Sequence, residues 1–127
     1  MAIQTSGSDS TPIVWPEGKR CAVCLTFDFD AESSWLAREP ENIGRLATLS
    51  QGRYGAKVGV PKILELLHEE GLKGTFFTPG WTVDAHPGKV EMILRHGHEL
   101  AHHGYVHYWP DPANEAQATE EVDRGFE

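Results

Sequence analysis

The chain has 127 residues, 39% of them apolar, which is enough for one domain with a modest core. Its 19 acidic residues against 11 basic ones leave a formal charge of −8, a field that repels nucleic acid and anionic membranes and suits a neutral or cationic small substrate. No run is long and apolar enough for a membrane span, and the opening MAIQTSGSDSTPIVWPEG has neither a positive n-region nor an apolar h-region, so a cytoplasmic location is expected.

Residues 1–18, rich in Ser, Thr, Pro and Gly, are expected to form an irregular arm before a domain over 19–127. The almost wholly apolar segment 21–27, CAVCLTF, predicts a strand buried on both faces of a parallel sheet. Cys21 and Cys24 are read as buried, reduced thiols, because positions three apart on a strand face opposite ways and no second Cys pair follows to complete a zinc site. From Asp30 to about Lys57 the hydrophobic period is lost, which predicts a long loop, functional or carrying small elements of its own. Pro61 opens a helix with Ile63, Leu64, Leu66 and Leu67 on one stripe and Gly71 as its stop.

Residues 73–78, KGTFFT, read as a second strand ending at Pro79-Gly80. His86-Pro87 leads into another amphipathic helix through Val90, Ile93 and Leu94, closed by Gly97. Residues 98–103, HELAHH, form the third expected strand. A last helix starts near Asn114, with Gln117 placed as in a capping box, and runs to the end of the chain. Alternating strands and helices imply an α/β fold with a parallel sheet. Three strands leave both faces and both edges to be covered. The chain is therefore expected to be the front part of something larger or a piece completed by a partner, a homo-oligomer being one form of this; the alternative is an independent three-unit sandwich.

Ligands in parallel α/β folds bind outside the carboxyl ends of the strands. The chemically loaded residues stand there: Asp28 and Asp30 after the first strand, Thr78-Pro79-Gly80 after the second, His103 to His107 after the third. In Thr26-Phe27-Asp28-Phe29-Asp30 the two carboxylates are two apart and point to one side of an extended chain. Two close carboxylates raise one another's pKa unless a cation relieves them, and a metal allows one to be ligand and the other base. In His103-Gly104-Tyr105-Val106-His107 the imidazoles stand four apart, while Gly104 argues against a stable helix and no Glu follows the first His as in zincins. Taken singly, the first motif could be a solvated turn and the second a surface pair. Together, two His and one carboxylate suit zinc or another first-row divalent ion. With Asp28 taking a proton from water, the set describes hydrolysis of an amide or ester.

The remaining histidines carry weaker signals. His68 is expected at the surface, His86 and His96 as loop and helix-end partners, and His98 and His102 as flanking residues that could support the ligands. Trp35, Trp81, Tyr105 and Trp109 lie in or beside loops that follow strands, where aromatics line substrate sites or anchor the core.

The segments TFDFDAESSWL, VGVPKILELL, GTFFTPGW and GHELAHHGYVH, with the final helix, resemble polysaccharide deacetylases of the NodB-homology type. The likeness is to the branch that includes Helicobacter-type peptidoglycan deacetylase-like proteins and bacterial cyclic imidases. It implies a distorted (β/α) barrel, of which this chain holds about the first three β/α units, with Asp28 as catalytic base and Asp30, His103 and His107 as ligands of one divalent metal ion, zinc being expected. Trp35, Trp81 and Tyr105 become candidate substrate contacts. The sequence departs from the familiar pattern in two places, both of which fit the cyclic-imidase-like branch: Phe29 separates the two aspartates, and Gly104 stands where a Ser or Thr is usual. The family's later strands, which bring an Arg, an aromatic groove and a general-acid His, have no counterpart in these 127 residues.

Three functions compete. The first is N-deacetylation of an acetylated amino sugar, the second hydrolysis of a cyclic imide or small amide, favoured by the cytoplasmic expectation, and the third a catalytically silent metal-binding fragment. All three predict a small-molecule or sugar partner at most, with no nucleic acid or membrane.

Overall fold

The computed structural model describes residues 14–127. Most of the expected arm lies outside the described residues; its end forms a single 3-10 turn at Pro16–Gly18. Three strands, β1 (Thr26–Asp28), β2 (Thr75–Thr78) and β3 (Glu99–His102), make one sheet in the order β1-β2-β3. Both pairings are parallel, with Phe27 opposite Phe76 and Phe76 opposite Leu100.

The two amphipathic helices form where the apolar stripes predict them. These are α3 (Val60–Glu69) and α5 (Pro87–Arg95), which place Leu64, Leu67 and Ile93 in one buried cluster with Phe29, Val60 and Phe76. Phe76 and Ile93 are wholly buried, and each such side chain contributes about 1.5–3 kcal/mol through removal from water. Strand alternation then decides the rest. Phe27, Phe76 and Leu100 point to this helix-covered face. Their neighbours Asp28, Phe77 and Ala101 point to the other face, where Asp28 is exposed and Phe77 and Ala101 are half-buried. The face that carries the chemistry is the face that the helices leave open.

Two expectations change, for segment 21–27 and for Pro79-Gly80, and one of the two alternatives for residues 30–57 is met. Segment 21–27 is not a strand buried on both sides: only Thr26–Asp28 is strand, Val23 is 78% exposed, and both cysteines are exposed. β1 is an edge strand with β2 on one side and no strand on the other among the described residues, so apolar composition there is not matched by burial. Residues 30–57 carry elements of their own, α1 (Ser33–Arg38), a 3-10 turn at Pro40–Gly44 and α2 (Leu46–Tyr54), which runs through a π-helical turn at Gly55–Gly59 into α3. Beyond β2, Pro79-Gly80 does not begin a loop. It opens a short helix, α4 (Gly80–Ala85). The last helix, α6 (Glu115–Phe126), starts as expected, with the Asn114 side chain accepting from the Gln117 amide at 3.2 Å.

Candidate metal centre

Asp30 stands on a turn locked by its own main chain. The Asp30 carbonyl accepts from the Ser33 amide at 3.0 Å, the Ser33 hydroxyl at 2.8 Å and the Thr82 hydroxyl of α4 at 2.6 Å. Ser33 and Thr82 are both fully buried. The next residue, Ala31, has a left-handed φ of 50°, and α2 passes so close that a Cβ on Gly52 would lie 2.6 Å from the Ala31 carbonyl oxygen. Glu32, buried behind the turn, binds Arg53 at 2.8 Å and His86 at 2.7 Å. Burial works to raise its pKa, but the hydrogen bonds from His86 and Arg53 outweigh burial and hold the carboxyl below its ordinary value.

The two histidines stand on the loop that leaves β3. Gly104 (φ 72°) and His107 (φ 77°) are both left-handed, a conformation that costs a non-glycine residue about 1 kcal/mol or more. The Gly104 and Tyr105 carbonyls receive the first amides of α4, Gly80 at 3.0 Å and Trp81 at 2.9 Å. On the other side the loop packs on α6, where the amides of Tyr105, His107 and Tyr108 all donate to one oxygen of Glu121.

Turn and loop bring Asp30, His103 and His107 together, with one donor atom from each within 4.8 Å of the others. Asp30 Oδ1 and His103 Nε2 lie 3.7 Å apart, too far for a hydrogen bond, and both are buried without any partner. Buried polar atoms are almost always satisfied. Two that converge unpaired, beside a second imidazole, are what a cation would satisfy. The rings of His103 and His107 meet edge to face at 4.5 Å, and Phe77 packs against His103 at 6.0 Å. The donor set of two imidazole nitrogens and one carboxylate oxygen fits a divalent ion.

The other sequence-singled residues fall in different places. Asp28 ends β1 opposite Phe77, exposed and without a hydrogen bond or ion pair among the described residues. Tyr105 turns away toward α4 and α6, donating to Asp84 at 3.1 Å under the Arg124 guanidinium, 3.7 Å above its ring. Burial and the Asp84 carboxylate push its pKa up. Trp81 lies in α4 beside it, and Trp35 carries the Arg38 guanidinium 5.2 Å over its ring. A cleft of ≈ 510 Å³ beside this cluster is lined by Asp30, Ser34, Arg38, His107, Tyr108 and Trp109. Arg38 and Tyr108 escaped the sequence reading, which had no signal to bring a helix end of α1 next to the histidine loop.

Neither flanking histidine has a side-chain hydrogen bond to Asp30, His103 or His107. His98 precedes β3 at the far, amino end of the sheet, buried, its Nδ1 accepting from the Gly74 amide at 3.2 Å. Burial first, then the Lys73 charge, lowers its pKa. His102 stacks on Phe126 at 4.2 Å and helps seat α6. His68 is exposed, as expected.

The family pattern for polysaccharide deacetylases matches residues 16–126. A peptidoglycan deacetylase of Helicobacter pylori is 32% identical over 97 residues, covering 72% of this chain and 31% of its own length. A peptidoglycan deacetylase-like protein of Gibberella zeae is 33% identical over 99 residues, covering 76% of this chain and 29% of its own. A solved Mycobacterium smegmatis structure assigned to the polysaccharide deacetylases is 46% identical, with TM-score 0.84, over 90% of this chain and 40% of its own. An allantoinase structure, at 23% identity and TM-score 0.73, shares the fold. The chain thus spans about a third of the curated relatives' length, holding three parallel strands of a barrel-like fold. The matched residues span nearly all of the described chain, and this chain belongs to the polysaccharide deacetylase family.

Proposed function

We propose that Asp30, His103 and His107 hold one zinc ion and that the protein is an N-deacetylase acting on an acetylated amino sugar. The observation that carries this is the pair of buried, partnerless atoms, Asp30 Oδ1 and His103 Nε2, with His107 within reach. When bound, such an ion supplies Lewis-acid activation of water and of an amide carbonyl. The chain's own residues do the rest. Asp28, on the same open face of the sheet as the ligands, accepts the proton from the attacking water. Tyr108 and Trp109 offer aromatic faces to a sugar ring in the cleft, and Arg38, held on Trp35, offers hydrogen bonds to its substituents. The names of the peptidoglycan deacetylase relatives support the sugar substrate.

The cyclic-imide alternative drew strength from Phe29 between the two aspartates. Phe29 is a core residue, 3% exposed, whose amide donates to the Phe77 carbonyl at 2.8 Å. Packing by itself gives Phe29 a role there. Parallel assays on acetylated chito-oligomers and succinimide-like rings test the proposal. Acetate release that Asp28→Asn lowers about 10²–10⁴-fold, with the metal retained, is expected. Imide turnover without acetate release would overturn the sugar reading. Bound metal with neither activity would leave a catalytically silent metal-binding chain.

A further inference from the structure

The histidine loop owes its shape to a residue that touches no ligand atom. One oxygen of Glu121 accepts from the amides of Tyr105 at 2.9 Å, His107 at 2.5 Å and Tyr108 at 3.1 Å. Main-chain amides gathered around one anion make a nest-like site, and charge-assisted bonds of this kind are stronger than neutral ones. Two further observations show that the contact is built in. A Cβ on Gly104 would lie 2.8 Å from the Glu121 oxygen, so the glycine both adopts its φ of 72° and leaves room for the carboxylate. At the next turn of α6, a Cβ on Gly125 would lie 2.3 Å from His102 Nε2 and 2.7 Å from the Gly104 carbonyl oxygen, so α6 can approach the loop only with glycine there.

We infer that Glu121 is the positioning residue of the metal centre: its carboxylate holds the left-handed His107 backbone so that His107 meets His103 and Asp30. The inference rests on the metal-site reading above and adds to it a residue of α6. Without the carboxylate, three amides lose their acceptor and His107 loses what offsets its backbone cost, so the loop relaxes and the ligand leaves. Asp30 and His103, held by α1, α4 and β3, stay.

The test is zinc affinity, measured by chelator competition, with the absorption spectrum of the cobalt-substituted protein as second readout. Glu121→Ala should bind zinc about 10- to 100-fold more weakly than wild type and change the cobalt spectrum. Glu121→Gln, which keeps an acceptor oxygen but not its charge, should recover part of the affinity that Glu121→Ala loses. Amide exchange in the unsubstituted protein gives a check that no misfolded variant can spoil: the amides of Tyr105, His107 and Tyr108 should be protected. Zinc affinity in Glu121→Ala within about threefold of wild type, no recovery in Glu121→Gln, or rapid exchange of those amides would overturn the inference alone. Failure of the wild type to bind zinc would overturn the metal-site reading and this inference with it.

Discussion

Asp30 and His107 are equal partners in one donor set, yet the chain holds them by opposite means. The Asp30 turn is clamped from inside by buried hydroxyls of Ser33 and Thr82 and walled by Gly52. The His107 loop lies half-buried; its first residues are tied to α4 through the Gly104 and Tyr105 carbonyls, but the His107 amide itself is held by a single carboxylate from α6. The difference teaches that redundancy, not chemistry, sets how sensitive the placement of each side chain is. Asp30 has three donors on its carbonyl, whereas His107 depends on one acceptor shared with two neighbours.

That comparison can be broken first at Gly52. Gly52→Ala forces a Cβ against main-chain atoms of Ala31 and Glu32, neither of which can give as a flexible side chain would. A loss of about 1–3 kcal/mol in denaturant-measured stability is expected. A neutral result would show that the turn is not walled. A smaller effect sharpens the contrast: Thr82→Val removes one of three donors to the Asp30 carbonyl and should cost about 1 kcal/mol. Zinc affinity should stay within about threefold of wild type, unlike the drop expected for Glu121→Ala.

The smallest effect comes from His98, at the other end of the sheet. Its folded pKa lies below the ordinary imidazole value, so as pH falls through that value the unfolded chain takes up a proton that the folded protein refuses. Stability of the metal-free protein should decline over that interval and level off below the folded pKa. His98→Asn, which keeps an acceptor for the Gly74 amide, should flatten the Tm profile there; an unchanged profile would show that other groups set the acid response.

How much of this was legible in the sequence follows from what the signals encode. The stripes of α3 and α5 and the aromatic β2 were readable because burial on one face leaves a period. The cluster of Asp30, His103 and His107 was readable because chemistry-bearing residues stand at strand ends. Segment 21–27 misled because an apolar run does not say whether a neighbouring strand exists to bury it. α4 was missed because Pro79-Gly80 also reads as a terminator, though its Thr82 hydroxyl is what reaches Asp30. Tyr105 reads as a substrate contact from its place beside the histidines, but the left-handed turn at Gly104 breaks the strand's alternation and Tyr105 meets Asp84 and Arg124 instead. Glu121 could not be seen at all, since its partners are main-chain amides that no side-chain pattern records.

The central claim concerns three side chains and one ion, and zinc titration of the wild type beside Asp30→Ala, His103→Ala and His107→Ala tests it most directly. The account predicts about one ion per wild-type chain and loss of tight binding in each variant, with all four proteins folded. Full zinc content in a folded His103→Ala or Asp30→Ala protein would contradict it.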